Sequence, residues 1–167
     1  MKTISSGSGS VLSLRASALL LLGYSCDATP MELSALNVAD ITLSDDKLRV
    51  RIPRQDRQFH EVLAASTSGT FSTCAAVVRS LLASLQAAGR TEGPLFVRTD
   101  GYEWVAQQAS PYFDPSGRIT PGTVVNLFLR IGYGAGFQFN CDLRTHSLRQ
   151  CFNAADHVTW RPGSPTG

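Results

Sequence analysis

His146 and Arg149 stand three residues apart in the stretch THSLRQCFNAAD, residues 145–156. A histidine and an arginine at that spacing can aim two cationic donors at one phosphate. The arginine suits the task because its planar fork can hold two phosphate oxygens at once. Leu148, Cys151 and Phe152 recur as one apolar face of a helix expected over residues 146–155, which would set His146 and Arg149 on one side of it. An isolated pair of this kind is ordinarily a helix histidine beside a surface arginine, so the rest of the chain must decide between the two.

A second basic set lies in LRVRIPRQDRQ. Leu48, Val50 and Ile52 alternate with Arg49 and Arg51, and Arg54 and Arg57 follow. Period-two alternation predicts a strand with one apolar and one basic face. That basic face is either a solvated hairpin surface or a phosphate-contacting one. Metal chemistry has no support. Cys26, Cys74, Cys141 and Cys151 contain no CxxC pair, so no zinc or redox motif is present, and no cofactor is expected. The cysteines read as buried reduced thiols of a cytoplasmic protein, because a disulfide framework is denser in secreted domains.

The elements that must position these residues follow from caps and periodicity. LRASALLLLGYS is apolar nearly all round and predicts a buried helix over 13–24. The alternative is a signal peptide ending at Cys26. It is disfavoured by Arg15 just before the apolar run and by Gly23 where a bulky aliphatic residue is expected. Thr29, Pro30 and Glu32 spell a capping box with proline at the first helical position, predicting a helix over 30–36. Val77, Val78, Leu81, Leu82 and Leu85 set a helix over 74–88 that Gly89 ends. Thr120 and Pro121 open another over 120–133. The expected fold class is α+β: mainly α, with a small antiparallel β-sheet. Residues 1–12 read as a disordered lead-in, 13–157 as one domain, and 158–167 as a disordered tail.

At 167 residues the chain is long enough to bury a core. With 43% hydrophobic and 17% charged residues and a net charge of +2, it is ordinary for a globular protein. A pI near 8.4 falls short of the pI above about 9 that marks an obvious nucleic-acid binder. No run is long enough to span a bilayer.

Taken in order, LRASALLLLGYS, MELSALNVADI, LRVRI, CAAVVRSLLASLQAAG, GPLFVR, ITPGTVVNLF and HSLRQCFNAA resemble the catalytic domain of tyrosine recombinases, the phage-integrase family. The resemblance covers roughly residues 13 to 156. It implies a DNA breaking and rejoining chemistry in which a tyrosine attacks a phosphodiester and forms a phosphotyrosyl link. Two arginines, a hairpin lysine and one or two histidines stabilise the phosphorane and protonate the leaving oxygen. His146 and Arg149 match the family's HxxR.

Other positions depart from that pattern. The first arginine should stand three residues before Glu32, and Thr29 is there. The hairpin lysine has no clear counterpart: Lys47 precedes the strand, and Arg54 cannot act as a general acid near neutral pH. Tyr24, Tyr102, Tyr112 and Tyr133 all precede His146, and residues 150–167 contain no tyrosine. The expectation is therefore a degenerate recombinase domain lacking the C-terminal helices. It would be inactive, with weak duplex DNA binding through phosphate contacts. An alternative is a non-catalytic interaction module that modulates an intact recombinase; another is a site completed by a separate chain. Missing helices would also leave an apolar patch beside Leu148 and Phe152 and favour self-association.

Overall fold

A computed structural model describes residues 11–44, 48–53, 59–64, 69–99, 115–139, 141–153 and 158–160. Among the described residues the chain is an α+β protein in which five α-helices and two small antiparallel sheets surround one core, to which the longer sheet gives Leu48, Val50 and Ile52. The helices are α1 (Val11–Ser25), α2 (Pro30–Ala35), α3 (Gly69–Ala87), α4 (Pro121–Gly134) and α5 (Leu148–Asn153). β1 (Ile41–Leu43), β2 (Leu48–Pro53) and β3 (Phe59–Ala64) form one sheet in that order. β4 (Phe137–Phe139) and β5 (Val158–Trp160) form the other.

Helix α1 is central because it has no polar face to give to water. It packs against α2, α3, α4 and α5, burying Ala18, Leu19 and Leu22 completely. Its neighbours answer with Leu33 of α2, Val78, Leu81 and Leu85 of α3, and Phe128 of α4. The close approach depends on Gly23: a Cβ there would lie 3.2 Å from Leu33 and 3.3 Å from Phe128. Arg15 lies within this packing at 8% exposure. One terminal nitrogen donates to the Val97 carbonyl at 2.8 Å, while its Nε is buried without a hydrogen-bond partner. Burial, with Arg130 as a second cause, lowers the Arg15 pKa from its ordinary value.

The expected caps form as drawn. The Thr29 hydroxyl accepts from the Glu32 amide, and the Glu32 carboxylate accepts from the Thr29 amide at 2.8 Å. Thr120 accepts from the Thr123 amide at the start of α4. Beyond α2, the Arg118 guanidinium donates to the carbonyls of Ser34 and Leu36 and to Asn37 Oδ1. These bonds tie the end of α2 to the segment leading into α4. In β2 the alternation holds, with Leu48, Val50 and Ile52 buried and Arg49 and Arg51 exposed.

Some boundaries differ from expectation. Helix α3 begins at Gly69 rather than 74 and α1 at Val11, inside the expected lead-in. Val158–Trp160, placed in the expected disordered tail, pair with β4 in the register Phe137↔Trp160 to Phe139↔Val158. Three residues carry too little periodicity to announce a strand. The pairing partner, not the local pattern, makes β5.

Candidate functional site

The turn and short helix at residues 141–153 form the candidate phosphate-binding site, and hydrogen bonds build the turn. Asp142 Oδ1 accepts from the Arg144 amide at 3.0 Å, and its carbonyl accepts from the amides of Thr145 and His146. That carbonyl lies 3.1 Å from His146 Nδ1. The Thr145 hydroxyl lies 3.0 Å from the same nitrogen, so Nδ1 is engaged within the turn and Nε2 is the nitrogen left to meet a ligand. The chain is then stapled to itself by a disulfide between Cys141 and Cys151, whose Cα atoms are 6.0 Å apart.

Helix α5 starts later than expected. Ser147 Oγ accepts from the Gln150 amide at 3.1 Å, and Gln150 Oε1 accepts from the Ser147 amide at 3.3 Å. This reciprocal pair is a capping box, which makes Ser147 the cap and Leu148 the first helical residue. His146 consequently lies in the turn before α5, and Arg149 in its first turn. The expectation that one helix face carries both is corrected. The two remain exposed neighbours, separated by the buried Ser147 and Leu148. Arg144, two residues before His146, is exposed as well. The surface therefore offers Arg144, His146 and Arg149 over a core-facing underside of Leu143, Ser147 and Leu148.

Ser147, fully buried, reaches across to the end of α1, where its hydroxyl donates to Asp27 Oδ1. Gln150 Nε2 approaches Asp27 Oδ2 at 3.5 Å. Asp27 has a φ of 53°, the left-handed conformation that commonly ends a helix and normally calls for glycine. The Ala28 amide donates back to the Gly23 carbonyl, as such a helix end requires. An aspartate tolerates that backbone better than most residues, and here its side chain is the tether between α1 and α5.

The structure does not join the two basic sets in one element: α5 packs on α1, whereas β2 packs on β1, β3 and α2. Arg49 and Arg51 stand exposed on β2 in register with Leu63 and Glu61. Arg54, Arg57 and Lys47 lie outside the described residues, as do Tyr102 and Tyr112. Tyr24 and Tyr133 are exposed. Thr29, where the family places its first arginine, is occupied as a helix cap. Leu148 is 3% exposed and so is itself no part of the apolar patch expected beside it and Phe152; the Phe152 side chain lies outside the described part. The large exposed apolar side chains among the described residues are Tyr24, Met31 and Tyr133.

The cysteine reading splits. Cys26 and Cys74 are free and buried, and burial pushes the Cys74 thiol up to about 11. Cys141 and Cys151 are oxidised, against expectation, because the tight turn at Asp142 brings their backbones within disulfide reach. Sequence reasoning missed Asp27, Arg144 and the disulfide. The S-x-x-Q of Ser147 and Gln150 was a legible signal for where α5 starts.

Among the described residues no group of three or more His, Cys, Asp or Glu side chains is placed to hold a metal ion, and no helix is long and apolar enough to cross a membrane. No protein-family model matches the chain, and no curated protein matches it.

Proposed function

We propose that this chain is a degenerate relative of the tyrosine-recombinase catalytic domain that has kept a phosphate-binding turn without the chemistry. The observation that carries the reading is the exposed trio Arg144, His146 and Arg149 on a turn held from beneath by Ser147 and Leu148. The order of sequence blocks that resemble the family supports the same reading. Thr29 argues against turnover, because its hydroxyl and amide are both engaged in the α2 cap and it brings no charge to a phosphorane. The partner is duplex DNA, bound through its backbone and without a sequence-reading element.

Salt-dependent binding to a labelled duplex, followed by fluorescence anisotropy, tests this. Two contacts from Arg144 and Arg149 imply a slope of log K on log salt near −1.8, and four with Arg49 and Arg51 near −3.6. Affinity then falls roughly ten- to hundredfold between about 50 and 200 mM salt. Arg149→Ala is expected to flatten the slope by about 0.9. Binding that ignores salt, or is unchanged by Arg149→Ala, would reject the proposal.

A further inference from the structure

The Cys141–Cys151 bond closes a ring around the turn that carries Arg144, His146 and Arg149. Little else holds that ring shut. Helix α5 has six residues, too few to be stable unaided. The sheet that flanks the ring, β4 before it and β5 after it, has three residue pairs, marginal by itself in water, and β4 is seated on α4. Beyond that seat, what remains is the contact with α1: the Asp27–Ser147 tether and the buried Leu143 and Leu148. The two sulfurs also differ in access. Cys151 is 1% exposed, whereas Cys141 is only half-buried. The remaining cysteines, Cys26 and Cys74, sit in the core as thiols.

We propose that Cys141–Cys151 is a thiol-responsive clasp: oxidised, it orders the 141–153 segment and holds its cationic surface for phosphate, and reduced, it lets that segment open while the helical core persists. The step is ordinary exchange with a dithiol. A thiolate of the dithiol attacks Cys141 Sγ, the sulfur–sulfur bond breaks, and Cys151 leaves as thiolate and takes up a proton. The second thiol of the dithiol then attacks its own sulfur in the mixed disulfide and releases Cys141. Two electrons and two protons pass to the cysteine pair, and the dithiol becomes a cyclic disulfide.

The order of the segment does not depend on what it binds; the effect on phosphate affinity rests on the function proposed above. The full chain, oxidised or treated with dithiothreitol, is compared by hydrogen exchange and by anisotropy with a labelled duplex. Closure of a ring with sequence separation 10 corresponds to about a hundredfold in a local opening equilibrium. Exchange within 141–153 is therefore expected to rise at least about tenfold on reduction, with peptides of α1 and α4 unchanged. Duplex affinity is expected to fall about fivefold in parallel. Cys141→Ser should match the reduced chain without dithiol and ignore its addition.

Unchanged exchange in 141–153, or an equal rise in α1 and α4, overturns the clasp; the second result would make the bond a staple of the whole fold. Raised exchange with unaltered duplex affinity overturns its control of binding. If neither form binds DNA, the function proposed above fails, and the exchange result alone decides whether the clasp exists.

Discussion

Replacing Ser147 with alanine removes one hydroxyl that serves two elements. Its oxygen accepts from the Gln150 amide, and its proton goes to Asp27 Oδ1. Loss of a helix cap costs about 1 kcal/mol. The hydrogen bond to the Asp27 carboxylate, which is only half-buried, adds about 1–2 kcal/mol after discounting for solvent. The sum, about 2–3 kcal/mol, should lower Tm by roughly 4–12 °C in a chain of this size. Urea unfolding of Ser147→Ala, Asp27→Ala and the double variant should give a coupling near 1 kcal/mol, since the two residues share one bond. Asp27→Gly adds a second comparison. It loses the same tether but suits the left-handed backbone at φ 53°, so it should be about 1 kcal/mol milder than Asp27→Ala. A Ser147→Ala effect within about 0.5 kcal/mol of zero, or strictly additive variants, would refute the tether between α1 and α5.

Gly132→Ala should destabilise by about 1–3 kcal/mol in chemical denaturation, because a methyl group there runs into the Phe139 ring that leads β4 onto α4. Cys74, whose thiol is pushed up to about 11 by burial, should resist alkylation at pH 8 in the native chain and react fully in urea. The same shift sets a sign. The folded thiol keeps its proton where the unfolded thiol, with its ordinary value near 9.0, has lost it. Stability from this group is thus complete below about pH 9 and declines as pH rises towards 11. A Cys74→Ala variant should lose that alkaline decline. On a nicked duplex that traps covalent intermediates, the chain should form no adduct at any salt concentration, and a phosphotyrosyl link mapped to Tyr24, Tyr102, Tyr112 or Tyr133 would overturn the silent-site reading.

Elements with a chemical signature at their ends were legible. Thr29, Pro30 and Glu32 specify their helix through bonds three residues long, and Thr120 with Pro121 does the same. The alternation of β2 was equally plain, because burial on one face repeats every second residue. The candidate site was legible only as residue types. His146 and Arg149 could be picked out, but their shared helix face could not survive the cap at Ser147, which the apolar spacing of Leu148 and Cys151 does not encode. Asp27 was hidden for a different reason: its value lies in a bond to a residue 120 positions away. Strands β4 and β5 depend likewise on two separate pieces of chain meeting, and the disulfide on the turn at Asp142 that folds Cys151 back towards Cys141; no apolar periodicity carries either.

Arg15 bears on how α1 finds its orientation. A helix that is apolar on every side is welcomed by a core in any rotation, since hydrophobic burial has no direction. The guanidinium breaks that degeneracy. In this rotation it reaches the Val97 carbonyl; a rotation that kept it buried away from that acceptor would leave its charge uncompensated, at a cost of several kcal/mol. The charge therefore acts less as a bond than as a key that excludes wrong seatings of the helix. Arg15→Met should accordingly leave the chain as stable as before, or more so, while α1 loses its single register and its side-chain resonances broaden.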